Sequence, residues 1–186
     1  MCIRDSADAD HLGAFVDRMA KALGGLDIFV SNISGAMGAG NDPAGWRTAV
    51  EVDILSTVRG CEAAAPHLER SEAGAIVVIG TVSAVEVSGP RRPYSAVKAA
   101  LIPYVKNLAR DLAPKNVRAN LVSPGSIYFE GGVWNMIKDN APRMYEATLA
   151  RNPMGRMGRP EEVADAAVYL ASARASFCLL YTSRCV

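Results

Sequence analysis

AIVVIGTVSAVEVSGPRRPYSAVKAALIPYVKNLARDL, residues 75–112, holds the passage that decides the fold. Ala75–Ile79 is a short, wholly apolar run rich in Ile and Val, the pattern of a strand buried on both faces. A Ser/Gly/Pro-rich loop follows from Gly80 to Pro93, and Tyr94 to Leu112 then reads as a helix, with Pro103 predicted to kink it. Working outward, Leu26–Val30 and Val117–Val122 are two more apolar strand patterns, the second ended by Ser123-Pro124-Gly125. Between them lie helical patterns at Asp8–Leu23, closed by Gly24-Gly25, and at Pro43–Glu69. Tyr128–Met157 is irregular and partly helical, and Pro160–Ala171 is a last helix, with Pro160 in its first turn and Glu161 and Glu162 suited to its dipole. Apolar strands alternating with helices predict an α/β fold: a parallel sheet of about three strands with helices on both faces. Ligands of such sheets bind beyond the carboxyl ends of the strands, which gathers Ser31–Gly35, Gly80–Ser83 and Ser123–Ile127 at one rim.

The chain has 186 residues, 50% hydrophobic and 21% charged, with a formal net charge of +1. That is enough chain for one domain with a core, and too apolar and too neutral for disorder. The near-zero charge offers no footprint for nucleic acid or an anionic membrane. No apolar run reaches the roughly 18–20 residues of a spanning helix, and the opening segment has no apolar stretch of the secretory-leader kind.

The two ends read as foreign to the domain. The codons of Met1–Ser6 (MCIRDS) form one strand of a short inverted repeat. Its reverse complement encodes Cys178–Thr182, and the forward strand in a shifted frame gives Arg184-Cys185-Val186 and a stop. The repeat resembles a transposon end used in preparing sequencing libraries, so residues 1–6 and 178–186 are set aside, leaving 7–177 as domain. Three of the four cysteines, Cys2, Cys178 and Cys185, go with them. Cys61 alone forms no internal disulfide, no metal-ligand spacing remains, and the expected compartment is reducing, hence cytoplasmic. Cys61 and His67 stand in a helical run and read as packing residues.

Tyr94-Ser-Ala-Val-Lys98 is the strongest chemical signal. A spacing of four residues sets both side chains on one helical face. A phenol has an ordinary pKa of roughly 10, and a neighbouring cation favours its ionised form, making it usable for proton transfer near neutrality. Thr81 and Ser83, just past the preceding strand, each offer a hydroxyl to hold a substrate oxygen. Alone, a Tyr and a Lys at this spacing occur by chance in many helices.

Their company is specific. Ile79-Gly80-Thr81, Tyr94–Lys98 and Asn120-Leu-Val-Ser-Pro124-Gly125, with LDIFVSNISG (26–35) and GRMGRPEEVA (155–164), resemble in order the motifs of the short-chain dehydrogenase/reductase family. The resemblance covers Ala7 to Phe177. It implies a Rossmann-like fold, a carbonyl or alcohol small-molecule substrate, and a nicotinamide cofactor, NAD or NADP. By resemblance, Tyr94 is the acid/base, while Lys98 lowers its pKa and holds the nicotinamide ribose. Asn32, Ser34, Gly35, Pro124, Gly125 and Ile127 line the cofactor side. The family's serine stands thirteen residues before its tyrosine, which points to Thr81, with Ser83 as the alternative. Subunit pairing through the helices at 43–69 and 94–112 is also implied.

Departures are as informative. Asp53, seven residues after Trp46, stands where the family has a water-holding asparagine. It reads either as a substitute that favours the charged lysine and opposes tyrosinate, or as a helix residue bonded to backbone at the rim. Phe129 replaces a frequent threonine, and Ser31-Asn32-Ile33-Ser34 replaces NNAG. By resemblance, Tyr128–Ile137 occupies the family's substrate-lid position, and its bulky apolar groups suit an apolar substrate, or else Trp134 and Met136 simply cover the core; Gly131-Gly132 is a candidate hinge. No TGxxxGIG loop, the family's pyrophosphate cradle, occurs in the sequence, nor does the family's C-terminal strand, so the resemblance implies about three of its seven strands and an uncovered sheet edge. The expectation is therefore an inactive segment of an oxidoreductase, the alternative being a divergent, non-catalytic binding or oligomerisation protein.

Overall fold

The computed structural model describes residues 9–35, 39–86 and 92–180. Helix α1 (Ala9–Leu23) leads into β1 (Ile28–Ser31). Helix α2 (Pro43–Ala49), a π-helical turn (Val50–Leu55) and α3 (Ser56–Leu68) precede β2 (Ala75–Ile79). Helix α4 (Pro93–Leu112) and β3 (Arg118–Val122) follow, then α5 (Val133–Asn140), α6 (Pro142–Ala150) and α7 (Pro160–Ala171). The three strands are parallel in the order β1-β2-β3, with Phe29 opposite Ile76 and Ile76 opposite Ala119.

That register sorts the side chains by face. Phe29, Ile76, Val78, Ala119 and Leu121 share one face and meet Val16 of α1, Leu68 of α3, and Leu101 and Val105 of α4 in the main core. The opposite face receives α7, anchored by Arg118, whose guanidinium donates to the carbonyls of Leu170, Ala171 and Ser172 at 2.6, 3.2 and 3.1 Å. A cation on the last carbonyls of a helix satisfies groups that lack intrahelical partners and opposes the helix dipole.

Two elements depart from the sequence pattern. Leu26–Val30 reads as a strand buried on both faces, yet Ile28 and Val30 are 46% and 45% exposed. The reason is position: β1 lies at the edge of the described sheet, and α7 packs on β2 and β3 instead. The helix expected to run unbroken from Pro43 to Glu69 is interrupted by the π-helical turn. There the Ser56 hydroxyl donates to Val52 O and the Thr57 hydroxyl to Asp53 O, drawing carbonyls out of the regular ladder. Helix α4, by contrast, runs through Pro103, which sits on its exposed side.

Smaller expectations resolve as well. Cys61 is fully buried in the main core, and burial pushes its thiol up to about 12, so it packs rather than reacts. His67 meets Asp17 on α1 at 2.7 Å. Gly131, offered as a hinge, has φ of 74°, a left-handed turn that glycine adopts without strain, and its N–H donates to Asn135 Oδ1 at 2.9 Å. Of the two residues read as core cover, Met136 is exposed and does not serve as such, while Trp134 is half-buried. Residues 1–6 and 181–186 lie outside the described residues. Cys178–Leu180 do pack beside β3, with Leu180 N donating to Ala119 O at 3.1 Å and Asn120 Nδ2 to Cys178 O at 2.8 Å. A Cys-Leu-Leu segment covers the open flank of β3 by hydrophobicity alone, whatever its origin.

Leu101, fully buried where α4 meets the sheet, tests this core. Leu101→Ala is expected to cost about 2–5 kcal/mol in chemical denaturation. Val168→Ala, on the exposed side of α7, should stay within about 0.5 kcal/mol.

Candidate active site

The carboxyl ends of the strands bring the three predicted segments together. Gly80 N donates to Val122 O at 2.7 Å and Val82 N to Pro124 O at 2.9 Å, joining the loops after β2 and β3. Gly80 lets the strand end pass close to Leu121, since a Cβ there would stand 2.9 Å from Leu121 Cδ2 and push that side chain aside. The loop after β1 is joined through Lys98, whose ammonium donates to Ile33 O at 3.1 Å and to Ile79 O at 3.3 Å. Pro93 in the first turn of α4 starts the helix that delivers both Tyr94 and Lys98 to this rim.

Lys98 is 3% exposed, and its third acceptor is Asp53 Oδ1 at 3.4 Å. Asp53 is wholly buried at the middle of the π-helical turn. Its Oδ1 accepts from the Ser34 hydroxyl at 2.8 Å and its Oδ2 from Gly35 N at 3.0 Å. Both sequence readings of Asp53 are therefore present in part: it binds backbone at the rim, and it also pairs with the lysine. Burial pulls the Lys98 ammonium below its ordinary value, while the charge and hydrogen bond of Asp53 work in the opposite direction.

Tyr94 is half-buried against Ala49, Val97 and Ile54. Its phenol is held above the usual tyrosine range, chiefly by burial; a hydrogen bond with Thr81 lowers it and the negative charge of Asp53 raises it. Lys98 is expected to lower this value, but the net direction is upward, because burial and the charge of Asp53 outweigh the Thr81 hydrogen bond. Thr81 is buried and bonded to Tyr94, and it also receives Ser83 N on its hydroxyl at 3.3 Å. Ser83 sits on the short turn beyond, half-buried.

The remaining candidates surround this centre. Asn32 and Gly125 are exposed at the rim, Pro124 is tied to Val82, and Ile127 bridges to Gly158. Gly35 lies so close to the π-helical turn that a Cβ would meet Val52 Cγ1 at 2.8 Å. Three participants escape sequence reasoning: the carbonyls of Ile33 and Ile79, which any residue provides, and the buried Ser31–Thr57 hydroxyl pair at 3.1 Å that ties β1 to α3. Among the described residues, no group of three His, Cys, Asp or Glu side chains is placed to hold a metal ion.

A parallel sheet with a tyrosine–lysine helix at its carboxyl rim defines a Rossmann-like α/β domain of the dehydrogenase kind. A family model described as Enoyl-(Acyl carrier protein) reductase matches residues 2–180. Isoepoxydon dehydrogenase patN of Penicillium expansum is 34% identical over 174 residues, covering 93% of this chain and 67% of that protein. The 7alpha-hydroxysteroid dehydrogenase of Escherichia coli (strain K12) is 32% identical, covering 95% and 68%. Among solved structures, a short chain dehydrogenase from Burkholderia cenocepacia J2315 in complex with NADP superposes with a TM-score of 0.82 at 32% identity, covering 95% of this chain and 70% of that one. The chain belongs to the short-chain dehydrogenase/reductase family, and spans about two thirds of the length of these relatives.

Asp53→Ala should cost roughly 3–5 kcal/mol in denaturant unfolding, because it leaves the Lys98 ammonium and the Gly35 N–H facing a void. Asp53→Asn, which keeps an acceptor oxygen, should cost clearly less.

Proposed function

We propose that residues 7–177 are the catalytic half of an oxidoreductase that interconverts a carbonyl and an alcohol. The observation that carries this reading is the hydrogen-bonded Tyr94–Thr81 pair beside a buried Lys98 at the carboxyl rim of a parallel sheet. The names of the relatives agree with it: isoepoxydon dehydrogenase and 7alpha-hydroxysteroid dehydrogenase are both dehydrogenases.

The rim suits the ribose–nicotinamide portion of NAD or NADP. The donors and acceptors of Tyr94 and Asn32 match a polyol and an amide, Lys98 lies behind them with its ammonium engaged inside the fold, and at Gly125 a Cβ would meet nothing within 4 Å, so the backbone is open to approach. No glycine-rich turn for the pyrophosphate occurs in these residues, so this chain alone is expected not to turn over. When bound, the nicotinamide supplies or takes the hydride.

The chain's own residues handle the proton. Thr81 holds the substrate oxygen together with Tyr94. In reduction, the Tyr94 O–H gives its proton to the carbonyl oxygen as the carbon gains hydride, and the phenolate left behind recovers a proton from water. In oxidation the same steps run backward. Ser83 is the reserve hydroxyl, and its N–H instead fixes the Thr81 side chain. Phe129 and Met136, exposed beyond β3, offer apolar surface to a substrate. Pairing of subunits through 43–69 and 94–112 and a reducing, cytoplasmic setting complete the reading.

The test uses the longer protein that carries this segment, assayed on a carbonyl panel with NADH and NADPH. Tyr94→Phe should lower turnover by about 10²–10⁴-fold, and Thr81→Ala should lower it more than Ser83→Ala. Unchanged turnover in Tyr94→Phe would favour the non-catalytic binding reading.

A further inference from the structure

The ammonium of Lys98 has three hydrogens and three oxygens to receive them: Ile33 O, Ile79 O and Asp53 Oδ1, at 3.1, 3.3 and 3.4 Å. The carboxylate in turn holds Ser34 Oγ at 2.8 Å and Gly35 N at 3.0 Å, with no exposure of its own. Negative and positive charge cancel inside the fold, and the loop after β1 is fastened to α4 through them. We propose that Asp53 is a positioning residue that fixes loop 31–35 to Lys98 and engages the lysine's charge, so that the Tyr94 phenol rests in its protonated form at neutral pH. The inference rests on Tyr94 being the acid/base, and it names the group that sets the phenol's resting state.

The electrostatics follow from the geometry. Among the described residues, the ionisable groups around Tyr94 are Asp53 from the π-helical turn and Lys98 one turn along its own helix. Of the described residues after β2, Thr81 offers a neutral hydroxyl to the phenol, and Glu86 and Arg92 are exposed. A paired Lys98 gives the phenol little help to ionise, and the nearby carboxylate opposes ionisation. With asparagine at 53, the lysine keeps its two carbonyls and an amide oxygen, and its charge is no longer cancelled. The phenolate then becomes easier to form.

Ultraviolet titration of phenolate in this chain reads the effect without cofactor or substrate, with the Tyr94→Phe curve subtracted to isolate Tyr94. In the unaltered chain Tyr94 should titrate above roughly pH 10. In Asp53→Asn its midpoint should fall by roughly one unit or more. In Ser34→Ala, which keeps the carboxylate and removes one of its hydrogen bonds, the midpoint should stay or rise. An Asp53→Asn midpoint equal to that of the unaltered chain overturns the proposal. So does a fall in Ser34→Ala, and that arm decides the matter if Asp53→Asn does not fold by circular dichroism. A shifted titration alongside unchanged turnover in Tyr94→Phe would leave the electrostatics standing and remove only the catalytic reading.

Discussion

A buried ammonium cannot be left without acceptors: desolvation makes an unpaired charge cost several kcal/mol. Lys98 sits at the junction of three segments, and each of its hydrogens points into a different one: the loop after β1, the end of β2, and the π-helical turn. The rim therefore depends on this one group. Without it, Ile33, Ile79 and Asp53 have no common partner, and the loop after β1 keeps the bonds of Ser34 and Gly35 to Asp53.

The π-helical turn is the complement of that junction. A regular helix from Pro43 to Leu68 would present its side chains at fixed intervals. The wider turn, held open where Ser56 and Thr57 bond back to carbonyls, re-aims Asp53 toward the loop. Close packing then dictates small residues nearby: Gly35 against Val52, and Gly80 against Leu121. Local irregularity, a buried charge pair and two closely packed glycines thus form one construction beside Tyr94 and Thr81.

How far this was legible depends on the kind of signal. Ala75–Ile79 and Pro160–Ala171 appear with the bounds read from the sequence, because a central strand buried on both faces and a proline-started, acid-capped helix leave strong patterns. The edge position of β1 left no mark in its own residues, since Ile28 and Val30 are apolar whether covered or not; the uncovered edge followed only from the strands missing relative to the family. The π-helical turn was equally invisible, because it arises from hydroxyl bonds that compete with the ladder and from a tertiary pull on Asp53. In the site, Tyr94, Lys98 and Thr81 were legible by spacing and resemblance. The partners of Asp53 were not: Ser34 and Gly35 stood in the sequence as cofactor-side residues, and their bond to Asp53 exists only once β1 and the helix are side by side. The carbonyls of Ile33 and Ile79 carry no residue-type signal at all.

Three oxygens inside the fold hold the Lys98 ammonium. Proton–nitrogen correlation spectroscopy of lysine side chains reads this arrangement, with the Lys98 signal assigned by its loss in Lys98→Met. A distinct ammonium resonance is expected, its protons exchanging slowly with water and faster in Asp53→Asn. A Lys98 signal that exchanges as fast as those of surface lysines would mean that the ammonium is not so held.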